Sequence, residues 1–189
     1  MPEPRPEVLD FLLTRRSRPG KTLRTPAPSR AALEPILQAG LRVPDHGKLE
    51  PWRLVVLEKA ACERLSAVVA ECGPAGDPEK TEKEVRLWQN APLIVVVVCA
   101  PFEGVKVPVI EQVQSAAAVC LSLVNAALAS GWGANWLTNY PAFSETFHTD
   151  LGLEAGESVA GFIHIGTQGA VPPERPRPDI GDKVAWIEQ

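Results

Sequence analysis

Leu93-Ile94-Val95-Val96-Val97-Val98-Cys99 is the most strand-like run in the chain. Four consecutive β-branched valines favour an extended backbone. With no polar position, the run has no side for water, so it predicts a strand at the centre of a sheet covered on both faces.

The segments around it alternate helix and strand. Glu79 to Asn90 reads as a charged, mostly exposed helix anchored by Val85, Leu87 and Trp88, and Pro92 ends it. Pro101 to Pro108 is loop. Glu111 to Ser130 is the longest helix, rich in alanine (Ala116, Ala117, Ala118, Ala126, Ala127, Ala129) and apolar around most of its circumference. Such a helix belongs at the domain centre or in a subunit interface. Gly131 and Gly133 close it. Ala134 to Leu137 is a short strand, Pro141 opens a small helix over Ala142 to Leu151, and Ser158 to Ile165 is the last clear strand.

Upstream, Glu7 to Arg16 is a short helix with Val8, Leu9, Leu12 and Leu13 on one face. Pro19 and Gly20 stop it, and Lys21 to Pro28 is an extended connector. Ser29 caps a helix running to about Leu41, with Leu33, Ile36, Leu37 and Leu41 inward. Leu54 to Leu57 is an apolar run typical of a strand covered on both faces, and Ala60 to Cys72 is a helix burying Leu65, Val68 and Val69. Residues 1–189 form one domain. Residues 1–6 are a loose start, and residues 171–189 are a proline-rich tail whose Trp186 and Ile187 pack along a surface, its own or a partner's. The strands form one sheet with helices on both faces, a three-layer α/β/α domain.

A net charge of −4 argues against a nucleic-acid binder. Cys62, Cys72, Cys99 and Cys120 have no metal-ligand spacing and read as thiols in a reducing cytoplasm. Met1 to Pro6 has no apolar run of the kind a signal peptide needs. Val113 to Ala129 is interrupted by Gln114, Ser115, Ser122 and Asn125, which argues against a membrane span.

Three stretches could carry chemistry. Arg15-Arg16-Ser17, at a helix-to-loop junction, could grip a phosphate, or its arginines could only complement the helix dipole. Leu41 to Trp52 is a helix-to-strand loop holding Arg42, Asp45, His46, Lys48, Glu50 and two prolines. Arg42 and His46 could donate to an anionic or carbonyl-rich ligand. Asp45 could instead pair with either one, or the loop is structural, with Asp45 capping backbone amides and Trp52 filling the core. Gly131 to Thr138 (Gly-Trp-Gly-Ala-Asn-Trp-Leu-Thr) could bring Trp136 and Thr138 to a pocket or be a tight turn. His148 reads as a surface residue and His164 as a core histidine. Glu58 and Glu111 have no nucleophile to serve.

Together these stretches resemble the nitroreductase family. Arg15-Arg16-Ser17 looks like its R-R-S signature. Arg42-Val43-Pro44-Asp45-His46 with Pro51-Trp52 looks like the A-P-D-H…Q-P-W segment of its compact bacterial branch. Glu111 to Ala116, Gly131-Trp132-Gly133 and Gly166-Thr167 follow in matching order. The resemblance covers about Glu7 to Thr167. It implies an α+β fold with a mainly antiparallel sheet and a homodimer holding FMN at its interface. Arg15, Arg16 and Ser17 of one subunit would hold the flavin, Arg42 and His46 would reach it from the partner, and Trp136, Leu137 and Thr138 would line it. The implied activity is ping-pong transfer from NAD(P)H to a nitroaromatic, quinone or related acceptor, with no catalytic side chain. The alternatives are a non-catalytic flavin-binding dimer, or a same-fold dehalogenase or ene reductase, for whose lid the chain has little spare sequence. Where the branch commonly has Trp-Arg-Ser, this chain has Trp136-Leu137-Thr138. Arg18, Lys21 or Arg24 in the longer loop after Ser17 could return the lost charge.

Overall fold

The computed structural model describes residues 3–188, so Met1 and Pro2 of the expected loose start and Gln189 of the tail lie outside it. The order is α1 (Pro6–Thr14), β1 (Leu23–Arg24), α2 (Arg30–Gly40), β2 (Trp52–Glu58), α3 (Lys59–Glu71), α4 (Pro78–Asn90), β3 (Leu93–Cys99), α5 (Val109–Ala129), β4 (Gly133–Leu137), α6 (Glu145–Leu151) and β5 (Ser158–Gln168). Short 3-10 turns occupy Gly20–Thr22, His46–Lys48, Tyr140–Phe143 and Ile180–Asp182.

β3 lies between β2 and β5, β4 continues the sheet beyond β5, and β1 pairs with the last residues of β5. Every pairing is antiparallel, as expected for this α+β fold. The pleat of β3 divides the core. Leu93, Val95 and Val97 face α2 and α5, while Ile94, Val96 and Val98 face α3, α4 and α6. Every residue of β3 is buried. Each such side chain contributes about 1.5–3 kcal/mol, which makes β3 the keel of the three layers. The second layer closes around Trp88, Phe147 and Phe162, packed edge to face.

Several expectations are corrected. β2 is an edge strand, and Val56 is 38% exposed, lining an open cleft with Leu33 and Leu37 of α2. An apolar run shows which side chains avoid water but not whether a neighbour reaches all of them. The Lys21 to Pro28 connector contains β1, which exists only because Leu23 and Arg24 meet Gln168 and Thr167 from far along the chain. Leu41 is exposed rather than buried. The helix expected over Ala142 to Leu151 is split at Ser144, whose hydroxyl accepts from Phe147 N and caps α6.

α1 buries none of its residues, and its Val8, Leu9, Leu12 and Leu13 are exposed. In the tail, Trp186 and Ile187 are exposed, so they do not pack on their own chain. By length and composition alone α5 could cross a membrane, but its inward face, from Gln112 to Ala127, is buried in the core.

Candidate functional site

The site begins where α1 ends. Arg15 is the C-cap of α1, with its backbone N–H on Phe11 O, and the extended chain after it lies along the sheet. Arg15 Nη1 donates to Asn125 Oδ1 of α5 at 3.3 Å, and Nη2 donates to Ser17 Oγ at 3.1 Å. Arg18 N donates to Ala134 O of β4 at 2.8 Å, and Arg18 Nε to Gln168 Oε1 of β5 at 2.7 Å. Gly20 then sits against Leu137. A Cβ built on Gly20 would lie 3.6 Å from Leu137 Cδ1. The structure therefore lays the segment that follows Arg15 to Ser17 along β4, from Ala134 to Leu137.

The electrostatics of this neighbourhood are incomplete. Arg15 Nε and Arg18 Nη1 are buried and have no hydrogen-bond partner. Burial, and then the nearby Arg177, push the Arg15 guanidinium below its ordinary value. Arginine keeps its charge in proteins, and among the described residues Arg15 has no ion pair. A buried donor left unmade costs about 1–3 kcal/mol, more when charged, and two such donors on guanidiniums three residues apart in sequence need an explanation. Each is a donor that an acceptor-rich anion could satisfy.

Arg16 is turned differently. Its Nη1 donates to Pro173 O at 2.7 Å and to Glu174 Oε1 at 3.3 Å, and Glu174 also accepts from Arg177 Nε at 3.0 Å. The tail thus lays a carboxylate between Arg16 and Arg177.

The third stretch ends β4. Trp136 Nε1 donates to Thr138 Oγ1 at 3.2 Å, and Thr138 Oγ1 donates to Ala160 O at 3.4 Å. The indole lies over Gly161, where a Cβ would come within 2.1 Å of Trp136 Nε1.

The Leu41 to Trp52 loop is rigid. Asp45 accepts from Leu49 N and Glu50 N at 3.1 and 2.9 Å, so the capping role expected of it is present. Ser115 of α5 donates to Pro44 O and accepts from Trp52 Nε1. Gly47, Lys48 and Glu50 take positive φ, which lets the chain turn back on itself. His46 and Arg42 stay at the surface. His46 Nδ1 meets Glu111 Oε2 at 2.7 Å, and among the described residues Arg42 has no side-chain hydrogen bond or ion pair.

His46 and Arg15 do not meet in one chain. His46 is tethered at Glu111 and Arg15 at Asn125, fourteen residues apart on α5 and so about 21 Å along its axis. The exposed surface near α5 is apolar, with Val109, Ile110, Val113 and Leu121 together with the outer face of α1.

His164 is, as expected, a core residue. It is buried with Nδ1 unpartnered, and burial lowers its pKa to about 4. His148, expected at the surface, is half-buried with Nε2 on Ala142 O at 2.8 Å. The reading of the sequence missed Asn125, Gln168, Gly161 and Arg177. No motif marks them, because each is defined by what it touches across the fold.

A family model described as the nitroreductase family matches residues 12–167. A protein of Escherichia coli K12 named "Putative NAD(P)H nitroreductase YdjA" is 36% identical over 167 residues, covering 85% of this chain and 88% of its own. A Haemophilus influenzae protein of corresponding name is 32% identical over 164 residues, with the same coverage. Among solved structures, a nitroreductase-like family protein from Bacillus cereus superposes with a TM-score of 0.85 at 19% identity, covering all of both chains. A nitroreductase with bound FMN from Bacteroides fragilis gives 0.77 at 20% identity, covering 96% of this chain and 99% of its own. With a family model matched over residues 12–167 and relatives at 36% and 32% identity over most of the chain, the chain belongs to the nitroreductase family.

Proposed function

We propose that the protein is an FMN-dependent oxidoreductase of the reducing cytoplasm. It takes electrons from NAD(P)H, delivers them to a nitroaromatic, quinone or related small acceptor in ping-pong fashion, and works as a homodimer. One observation carries this reading: the two buried guanidinium donors of Arg15 and Arg18 that have no partner. Their neighbours fit a flavin nucleotide. Arg15, Arg16 and Ser17 would hold its phosphate and ribityl chain, and Trp136, Leu137 and Thr138 would flank its ring. Arg18 supplies the cation that Leu137 does not. FMN, when bound, supplies hydride and electron transfer between the two substrates.

The chain's own residues have defined tasks. The guanidiniums neutralise negative charge without a proton transfer. Ser17, held by Arg15, keeps its hydroxyl hydrogen free to donate. Trp136 excludes water from the site.

The dimer is supported by two features. The exposed apolar faces of α1 and α5 need a cover. His46, anchored on α5 about 21 Å from the anchor of Arg15, lies too far away to serve that site in the same chain, and we assign it, with Arg42 of the same loop, to the partner's. The free thiols Cys62, Cys72, Cys99 and Cys120 suit a reducing compartment.

The test is the visible spectrum of the purified protein, before and after each nicotinamide. The reading requires a yellow protein bleached by NADH or NADPH. A colourless protein that ignores added FMN overturns it. The double variant Arg42→Ala with His46→Ala should lose FMN and remain a dimer. Unchanged retention would make the loop structural.

A further inference from the structure

Behind the segment that carries Leu137 lies a second cleft of about 500 Å³, separated from it by Gly20. A Cβ on Gly20 would meet Leu87 at 3.0 Å on one side and Leu137 at 3.6 Å on the other. The cleft is lined by five cations, Lys21, Arg24, Lys59, Lys83 and Arg86, and by no carboxylate. In a chain of net charge −4, that concentration is local and not a reflection of a basic surface.

The arrangement follows from three elements. Lys83, Arg86, Leu87 and Asn90 recur at helical spacing on one face of α4. Lys59 opens α3, and its ammonium donates to Gln89 O at the far end of α4. Lys21 and Arg24 arrive on the turn and strand that follow Gly20. Lys59, Lys83 and Arg86 pair with Glu63, Glu79 and Glu82, each four residues away on its own helix. Exposed pairs of this kind are weakly held and yield to a stronger anion. Lys21 and Arg24 have no ion pair or side-chain hydrogen bond among the described residues.

We propose that this cleft binds a small oligophosphate, such as the phosphate-bearing end of a nucleotide. Five cations around one cleft, two of them unpaired and three held only by exposed partners outside its lining, match several clustered negative charges, and Arg24 and Arg86 can each take a phosphate through paired N–H donors. Leu23 and Leu87 give the floor an apolar patch against which a base or ribose can rest. The volume lies within the range of small-molecule sites. The proposal does not depend on FMN, because no residue of the cleft belongs to the flavin site.

The experiment is calorimetric titration of the full-length protein with inorganic pyrophosphate, with adenosine 2′,5′-bisphosphate and with adenosine 5′-monophosphate, at low and moderate salt. One-to-one binding that weakens as salt rises is expected. The variant Lys21→Ala with Arg24→Ala, at two exposed and unpaired positions, should keep its melting temperature and bind at least ten-fold more weakly. Lys21→Arg should retain binding. Adenosine 2′,5′-bisphosphate outbinding pyrophosphate and competing with NADPH identifies the source as the dinucleotide. Equal binding with no competition identifies a free oligophosphate. No heat with any of the three at millimolar concentration, or undiminished binding by the double variant, overturns the proposal.

Discussion

The contact between Gly161 and Trp136 makes the flavin-side geometry testable apart from global stability. A Cβ at position 161 would lie 2.1 Å from Trp136 Nε1, 2.6 Å from Trp136 Cδ1 and 3.1 Å from Cys120 Sγ. Gly161→Ala therefore forces movement. Cys120 is buried in the core and has nowhere to go, whereas Trp136 is 36% exposed and can swing outward. Swinging breaks the 3.2 Å bond to Thr138 Oγ1, which costs about 0.5–1.5 kcal/mol. Replacing glycine where φ is ordinary returns about 0.4–1 kcal/mol by restricting the unfolded chain. The net change is within about 1 kcal/mol, or no more than about 4 °C in Tm for a chain of this length. The local change is large, because the indole leaves the place we assign it beside the flavin ring and Thr138 loses its donor. Gly161→Ala should thus melt near the wild type, show red-shifted tryptophan emission and retain FMN several-fold less well. Unchanged emission together with unchanged flavin retention would refute the reasoning. A Tm loss far beyond 4 °C would show that the indole is wedged in place.

Gly40→Ala should behave in the opposite way. Its Cβ would fall 2.2 Å from Leu123 Cδ2, and Leu123 is wholly buried between α2 and α5, so overpacking should cost about 1–3 kcal/mol in a denaturation assay with no specific effect on cofactor. His164 has its folded pKa lowered to about 4, below its unfolded value, by burial. Its neutral form therefore contributes stability that is fully present above about pH 6.5 and lost as pH falls towards 4, at up to about 1.4 kcal/mol per pH unit. The difference in unfolding free energy between wild type and His164→Leu should shrink across that window, and a pH-independent difference would contradict it. Glu174→Gln removes the carboxylate between Arg16 and Arg177, so FMN should bind more tightly, by less than about ten-fold, in fluorescence titration. Weaker binding would mean that Glu174 orients those arginines rather than competing for them.

The elements legible in the sequence were those set by local pattern. β3 matched its run end to end, and the helices over Arg30–Gly40, Lys59–Glu71, Pro78–Asn90 and Val109–Ala129 fell within a residue or two of their periodic segments. Arg15 to Ser17 and Trp136 to Thr138 stood out by composition, and the chain that follows Ser17 meets the second stretch through Arg18 on Ala134 and Gly20 on Leu137. Asp45 shows how one residue supports two readings at once. It caps backbone amides as a structural loop requires, and in doing so it fixes the loop that presents Arg42 and His46.

What the sequence determined by itself was the two-sided burial of β3, the amphipathic helices and the identity of the cationic stretches. Hydrophobic periodicity and capping act over a few residues, so they are written locally. The tertiary structure alone decided that Leu23 and Arg24 are a strand and that β2 lies at an edge. It also decided that His46 and Arg15 are anchored about 21 Å apart on α5. It alone revealed that Arg15 and Arg18 carry buried donors without acceptors. Whether a donor is satisfied depends on every group around it, and those groups come from helices and strands that meet only when the chain is folded.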